Sequence, residues 1–253
     1  MPNPHGSFIW YELLTNDHGK AKGFYDPVMG WDIGPQPSGE IDYRMIRTAA
    51  GNAGGAMQLT EEMRAHGARP TWLGYIGVDD VDDTVRRAEA AGGRITMPAF
   101  DIPGVGRLAM LSDPQGALFY VMRGFSDESS NAFAPELVGH CVWNELSTTD
   151  LQAAVGFYLP LFNWTLGGAT PMGEMGDYQF IEQGGVTIGA MFTPRGLPPM
   201  WRYCFRVANL ENAMEATKAG GGTITFGPDT VPTGDRIFQA LDPEGAHFMC
   251  AAK

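Results

Sequence analysis

Basic side chains are scarce in this sequence. Its 253 residues carry 17 Lys and Arg against 29 Asp and Glu, a formal net charge of −12. Binding to nucleic acid or to an anionic membrane surface needs a basic face, so both partners are disfavoured. Long apolar runs are also missing, and none approaches the roughly 18 residues of a membrane-spanning helix. The opening MPNPHGSFIWYELLTND lacks the basic start and apolar stretch of a secretory signal. Only three cysteines occur, Cys141, Cys204 and Cys250, all in the second half and without metal-type spacing. An odd count so placed predicts reduced, buried thiols in a cytoplasmic protein. No G-x-S-x-G elbow, Walker A loop or dinucleotide fingerprint is present. The Gly51-Asn52-Ala53-Gly54-Gly55 run leads from strand to strand, whereas a phosphate cradle needs a helix there. A small molecule remains as the expected partner.

What the sequence does contain is itself, twice. FIWYELLTND near the start returns as CVWNELSTTD, and GFYDPVMGW returns as VGFYLPLFNW. Trp10, Glu12, Leu13, Thr15, Asp17, Phe24, Tyr25 and Trp31 recur at a constant offset of 133 residues. Further on the offset is 129, linking Trp72 to Trp201, Arg107 to Arg236, and Asp113-Pro114-x-Gly116-Ala117 to Asp242-Pro243-x-Gly245-Ala246. A net loss of four residues between these anchors falls in loops. The chain is a duplication. Its 44% hydrophobic content suffices for two cores of about 120 residues each. The expected domains are 1–125 and 137–253, joined by a polar, aperiodic linker at 126–136 with the boundary near Ser130.

Within copy one, residues 7–15 alternate as a strand. Residues 17–29 have helical spacing with Asp17 as N-cap. Strands are expected at 41–48 and 54–60 with Gly51-Asn52 turning between them, and at 71–78. Asp80–Ala91 reads as an amphipathic helix stopped by Gly92-Gly93. Strands near 94–98, 106–112 and 117–123 follow, the last two joined by an Asp-Pro-Gln-Gly turn. Runs of strands with single short helices predict an antiparallel-rich α+β fold.

This order resembles the vicinal-oxygen-chelate superfamily of glyoxalases, bleomycin-resistance proteins and extradiol dioxygenases. The resemblance is carried by Asp17, Phe24, Tyr25, Gly30 and Trp31, by the helix start Val78 to Asp82, and by the Asp-Pro-x-Gly turn. It implies two tandem domains, each a pair of βαβββ modules forming a half-open, barrel-like sheet. In the metal-dependent members His, Glu or Gln ligands enter the cup from the first and fourth strands of each module. Carried onto this chain, those positions are Trp10, Gln58, Leu73 and Tyr120 in copy one. In copy two they are Trp143, Phe192 (within one residue of register), Arg202 and Met249. Indole, aliphatic and guanidinium groups do not coordinate metals, so neither copy is expected to build the family's site, and no cofactor is expected.

Of the histidines, His5 and His140 have the wrong strand parity and His18 and His66 lie at a helix start and in a loop. Only His247, in phase with Met249, is placed to look inward. Alternation puts Glu12 beside Trp10 and Glu145 beside Trp143 on the inward face. Each is either a general acid or base or a structural anchor bonded to backbone or arginine, and the identical Trp-x-Glu-Leu-x-Thr in both copies favours the anchor. Trp10 and Tyr120 are expected to line a cavity. Arg107 and Arg236 either clamp an anion or pair with the chain's own acids, the second being favoured by their repetition. The functional expectation is a protein that binds or sequesters a small molecule in a metal-free, aromatic-lined cup, through Trp10, Gln58, Tyr120, Trp143, Met249 and His247. The alternative is an enzyme of lactoylglutathione lyase, epimerase or dioxygenase type. The chain is expected to act as a monomer whose copies stand in for a dimer, or as a homodimer.

Overall fold

The computed structural model describes residues 3–36 and 42–253, so the expected strand start at 41 lies outside the described residues. Copy one runs β1 (Phe8–Thr15), α1 (His18–Met29), β2 (Asp32–Ile33), β3 (Tyr43–Thr48), β4 (Gly51–Gln58), α2 (Glu61–Ala65) and β5 (Thr71–Gly77). It continues with α3 (Val81–Ala90), β6 (Arg94–Ile102), β7 (Gly106–Ser112) and β8 (Leu118–Gly124). Copy two repeats this as β9 (Cys141–Ser147), α4 (Leu151–Phe162), β10 (Thr165–Pro171), β11 (Asp177–Gln183), β12 (Val186–Phe192) and β13 (Met200–Arg206). It ends with α5 (Leu210–Ala219), β14 (Thr223–Thr230), β15 (Arg236–Leu241) and β16 (His247–Ala252). The strands form two eight-stranded sheets of one topology, β2-β3-β4-β1-β5-β8-β7-β6 and β10-β11-β12-β9-β13-β16-β15-β14. The fold is α+β and duplicated.

Local chemistry explains the elements. Asp17 caps α1 by accepting the N–H groups of Gly19 at 2.8 Å and Lys20 at 3.0 Å, and Gly30, at φ +73°, ends it in the left-handed conformation. Asp150 caps α4 by accepting the N–H group of Ala153 at 3.0 Å. Two expectations need correcting. The β3–β4 turn falls on Ala49-Ala50, and Gly51-Asn52 open β4, because Gly51 supplies a φ of +126° at the strand's first residue. The stretch after β4 also holds a short helix, α2, capped by Thr60.

The described chain divides into two compact units. Met1–Ile9, Gly74–Ser130 and Trp143–Arg202 form one; Trp10–Leu73, Asn131–Val142 and Tyr203–Lys253 form the other. Each unit therefore combines a module of one copy with a module of the other. In unit one, Tyr158 on α4 donates its hydroxyl to Asp113 at 3.1 Å and accepts from the Trp201 indole at 3.0 Å. In unit two, Tyr25 on α1 donates to Asp242 at 2.9 Å and accepts from Trp72 at 3.0 Å. Trp164 donates to the Gly6 carbonyl and Trp31 to that of Gly139, again one copy to the other. Phe119 packs edge-on to Phe157 and Phe162 in unit one, and Phe248 packs likewise on Phe24 and Tyr25 in unit two. Burial pushes the Asp113 and Asp242 carboxyls up, and the backbone N–H groups and tyrosines bonded to them oppose it.

The segment before β9 is pinned in unit two. His140, fully buried, holds the Asn131 carbonyl at 2.7 Å with Nδ1 and lies 2.9 Å from the Thr48 hydroxyl with Nε2.

Two outcomes follow from these contacts. Tyr158→Phe removes a buried hydroxyl from between Asp113 and Trp201 and should cost about 1–2 kcal/mol, read by urea denaturation. An unchanged midpoint would show that the bond contributes nothing. Burial holds the His140 pKa below its ordinary 6.5, so the unfolded chain takes up this proton first. Stability should hold above that value and fall as pH drops below it, by up to about 1.4 kcal/mol per unit, and His140→Asn should flatten the slope.

Candidate binding site on the inner strand faces

In unit one, alternation along β9 sets Trp143 and Glu145 on one face. Trp143 is half-buried in a strand whose other residues are buried. Its indole N–H donates to the Tyr178 hydroxyl on β11 at 2.7 Å, and Tyr178 donates to Glu145 Oε2 at 2.7 Å. The other oxygen of Glu145 receives Nη2 of Arg202 from β13. Both charged groups are nearly solvent-free, with side chains 7% and 3% exposed. Phe192 closes the cluster, its ring 5.1 Å from Tyr178 and 5.9 Å from the Arg202 guanidinium carbon. Burial, then the neighbouring Glu145 charge, holds the Tyr178 phenol well above its usual pKa. It stays a neutral donor at physiological pH.

Copy one repeats part of this in unit two. Trp10, also half-buried, donates to the Tyr43 hydroxyl at 2.6 Å. Glu12 is buried and pairs in register with Gly55, where a Cβ would lie 2.2 Å from the Tyr43 hydroxyl. Only glycine lets that ring lie flat on the strand. Leu73, also buried, stands where copy two has Arg202, and Gln58 is exposed at the end of β4.

The remaining candidates are placed as follows. Tyr120 on β8 in unit one is buried and stacks on Tyr75 at 4.2 Å and 18°. In unit two Met249 is buried opposite Gln239, and His247 is half-buried opposite Leu241. Neither shares a unit with Trp143. Arg107 binds Asp82 and Asp101, and Arg236 binds Glu211, so both arginines pair with the chain's own acids. A cleft of about 360 Å³ in unit two is lined by Thr15, Asn16, Lys20, Tyr25, Asp242 and Glu244. It sits at the Tyr25–Asp242 bond, and Glu244 accepts there from the Thr15 hydroxyl and the Asn16 N–H. Sequence reasoning missed Tyr43 and Tyr178, although an offset of 135 residues relates them.

The residues present do not fit the superfamily's metal. In unit one the positions hold the Trp143 indole, the Phe192 phenyl and the Arg202 guanidinium, which carry no available lone pair, leaving the Tyr120 phenol, stacked on Tyr75, as a single donor where three or four are needed. The oxygens of Glu145 and Tyr178 are committed to Arg202 and to each other. Among the described residues no three His, Cys, Asp or Glu side chains gather into a metal-sized group. No helix among them is long and apolar enough to cross a membrane.

Comparison with known proteins gives consistent matches. The sequence profile of the Glyoxalase/Bleomycin resistance protein/Dioxygenase superfamily matches residues 7–121 and 137–249. "Putative glyoxylase CFP32" of Mycobacterium tuberculosis (strain CDC 1551 / Oshkosh) is 31% identical, the match covering 96% of this chain and 93% of that protein. "Anthracycline biosynthesis protein DnrV" of Streptomyces peucetius is 28% identical over 96% of this chain and 92% of its own. Among solved structures, the 2,3-dioxygenase LapB from Pseudomonas sp. KL28 superposes with a TM-score of 0.67 at 12% identity, covering 100% of this chain and 94% of that one. The Mn(II)-bound glyoxalase from Novosphingobium aromaticivorans gives 0.66 at 16% identity, covering 98% and 82%. At these identities the structures establish shared fold alone.

Arg202→Leu, which copies the residue at position 73, should cost about 3 kcal/mol because it strands the buried Glu145 charge. Combining it with Glu145→Leu should restore most of that loss in urea denaturation. A double variant as unstable as the single one would show that the two charges are not coupled.

Proposed function

The chain belongs to the Glyoxalase/Bleomycin resistance protein/Dioxygenase superfamily, and from that premise we propose that it binds or sequesters a small planar molecule without a resident metal. One observation carries this reading: Trp143 is half-buried in a strand whose other residues are buried, and its indole N–H is already committed to Tyr178. That bond and the edge-to-face packing of Phe180, 5.9 Å away at 81°, hold the ring rigid, which lowers the entropy cost of ordering it against a ligand. Glu145 and Arg202 act as the anchor that orients Tyr178, and so Trp143. A carboxylate shared between a guanidinium and a phenol is poorly placed to accept a substrate proton. Trp10 and Tyr43 repeat the clamp in copy one, with Glu12 as the corresponding carboxylate. Gln58, Tyr120, Met249 and His247 are further ligand-contact candidates. The name of the Streptomyces peucetius relative, an anthracycline biosynthesis protein, supports a flat polycyclic ligand. The buried cysteines fit a cytoplasmic protein, and the duplicated chain acts as a monomer whose copies stand in for a dimer, or as a homodimer.

The competing reading is a metal-dependent lyase, which the glyoxylase name of the mycobacterial relative favours. Titration with the flat probe 1,4-dihydroxyanthraquinone separates the two. Tryptophan fluorescence should be quenched saturably, EDTA should leave the quenching unchanged, and Trp143→Ala should weaken binding at least about tenfold. Lactoylglutathione formation that is restored by Mn(II) and lost with EDTA would overturn the proposal.

A further inference from the structure

The cleft in unit two lies between the end of β1, the start of α1 and the β15–β16 turn. Thr15, at its edge, has the opposite strand parity to Trp10 and Glu12, so the cleft belongs to the side covered by α1 and not to the clamp's face. Its volume of about 360 Å³ falls at the lower end of small-molecule sites, about 300–1,000 Å³. The Tyr25–Asp242 bond forms its floor, and Ala21, Phe24 and Pro243 give it an apolar wall. Asp242 has nothing left to offer, because the Glu244 and Ala246 N–H groups take one oxygen and Tyr25 the other.

Two charged side chains at the cleft do have capacity left. Glu244 accepts both the Thr15 hydroxyl, at 2.6 Å, and the Asn16 N–H, at 2.9 Å, on the single oxygen Oε2. Among the described residues nothing bonds its Oε1. The Lys20 side chain is 77% exposed, and the acid within ion-pair distance of it is Asp17, at 4.0 Å. An exposed contact of that length contributes little. Lys20 and Glu244 do not pair with each other, so a free cation and a half-free carboxylate flank one cleft.

The duplication shows which of these residues the architecture needs. Thr15, Phe24, Tyr25, Asp242 and Pro243 recur in unit one as Thr148, Phe157, Tyr158, Asp113 and Pro114. The charges do not recur: Ala153 stands for Lys20 and Gln115 for Glu244. Unit one nevertheless keeps its Tyr158–Asp113 bond and the aromatic packing around it. Gln115 Oε1 has no hydrogen-bond partner there, so that turn closes without the link that Glu244 makes to Thr15. Neither charge is a requirement of the fold.

We infer that this cleft is a second ligand site, for a small zwitterion: a free amino acid with an apolar side chain. The ligand's ammonium donates to Glu244 Oε1, its carboxylate accepts from Lys20, and its side chain packs on Phe24 and Pro243. A ligand carrying only negative charge would meet Glu244 and Asp17, and one carrying only positive charge would meet Lys20. Thr15 and Asn16 hold the Glu244 carboxylate in place, while the flexible stem of Lys20 lets its ammonium follow the ligand. The site is independent of the planar-ligand reading above.

The test titrates the full, ¹⁵N-labelled chain with L-leucine. Saturable shifts of the Asn16, Lys20 and Glu244 amide signals are expected, while those of Thr149, Ala153 and Gln115 stay still. Lys20→Ala and Glu244→Gln install the residues that unit one carries, so the fold tolerates them, and each should weaken binding at least about tenfold. N-acetyl-L-leucine lacks the ammonium and L-leucine methyl ester lacks the carboxylate; each should bind at least about tenfold more weakly than L-leucine. Absence of saturable shifts, equal shifts in both sets of amides, or full affinity in either variant would overturn the inference. So would a methyl ester or an N-acetyl derivative that binds as tightly as L-leucine, since the cleft would then read one charge and not two.

Discussion

The structure depends on two buried carboxylates that neither copy satisfies alone. Asp113 accepts the N–H groups of Gln115, Gly116 and Ala117 from its own turn, and its remaining oxygen is met by Tyr158 of the other copy. Asp242 is completed in the same way by Tyr25. A buried carboxylate lacking one of its donors is costly, so each turn constrains which module packs beside it. The aromatic cores assemble around these bonds, with Trp201 and Trp72 donating to the same tyrosines. Retention of both aspartates and both tyrosines follows from this reciprocity.

That constraint separates residues repeated for architecture from residues free to change. The tyrosine–aspartate bonds, the Trp31 and Trp164 bonds to glycine carbonyls and the Trp–Tyr clamps recur in both copies. Other positions differ between the copies: Leu73 is replaced by Arg202 and Met110 by Gln239. Duplication lets one copy's face drift while the other copy reports what the fold itself requires.

The duplication, the helix starting at Asp17 and the strand alternation that puts Trp143 beside Glu145 were all legible in the sequence, because each is a local pattern with a short-range physical cause. The pairing of Arg202 with Glu145 was legible only as a type, an arginine partner for a buried acid. Tyr178 was not legible. It lies in the stretch where the offset between the copies changes, so the repeat that marks Trp10 and Trp143 does not align Tyr43 with Tyr178. The exchange of modules was hidden for a different reason. Self-similarity identifies which residues are equivalent, but Tyr25 is equally suited to Asp113 or Asp242, and only the folded chain selects between them. The β3–β4 turn was misplaced because Gly51-Asn52 is a strong turn signal, yet a glycine can equally open a strand at positive φ, as it does here.

The copy-two face is held by a directed hydrogen-bond network. General acid–base catalysis needs a group whose charge can change near the working pH and that can reach the substrate. Trp143 does not titrate, and burial with a neighbouring carboxylate keeps Tyr178 neutral. Arg202 is paired with Glu145 in a contact almost closed to solvent. The network is therefore hydrogen-bonded in one direction, from indole to phenol to carboxylate, with the guanidinium closing its end. Such a chain resists reorganisation because moving any member breaks a buried bond at the next. Its structural consequence is that the plane of the half-buried Trp143 ring is fixed by bonds that run through three strands.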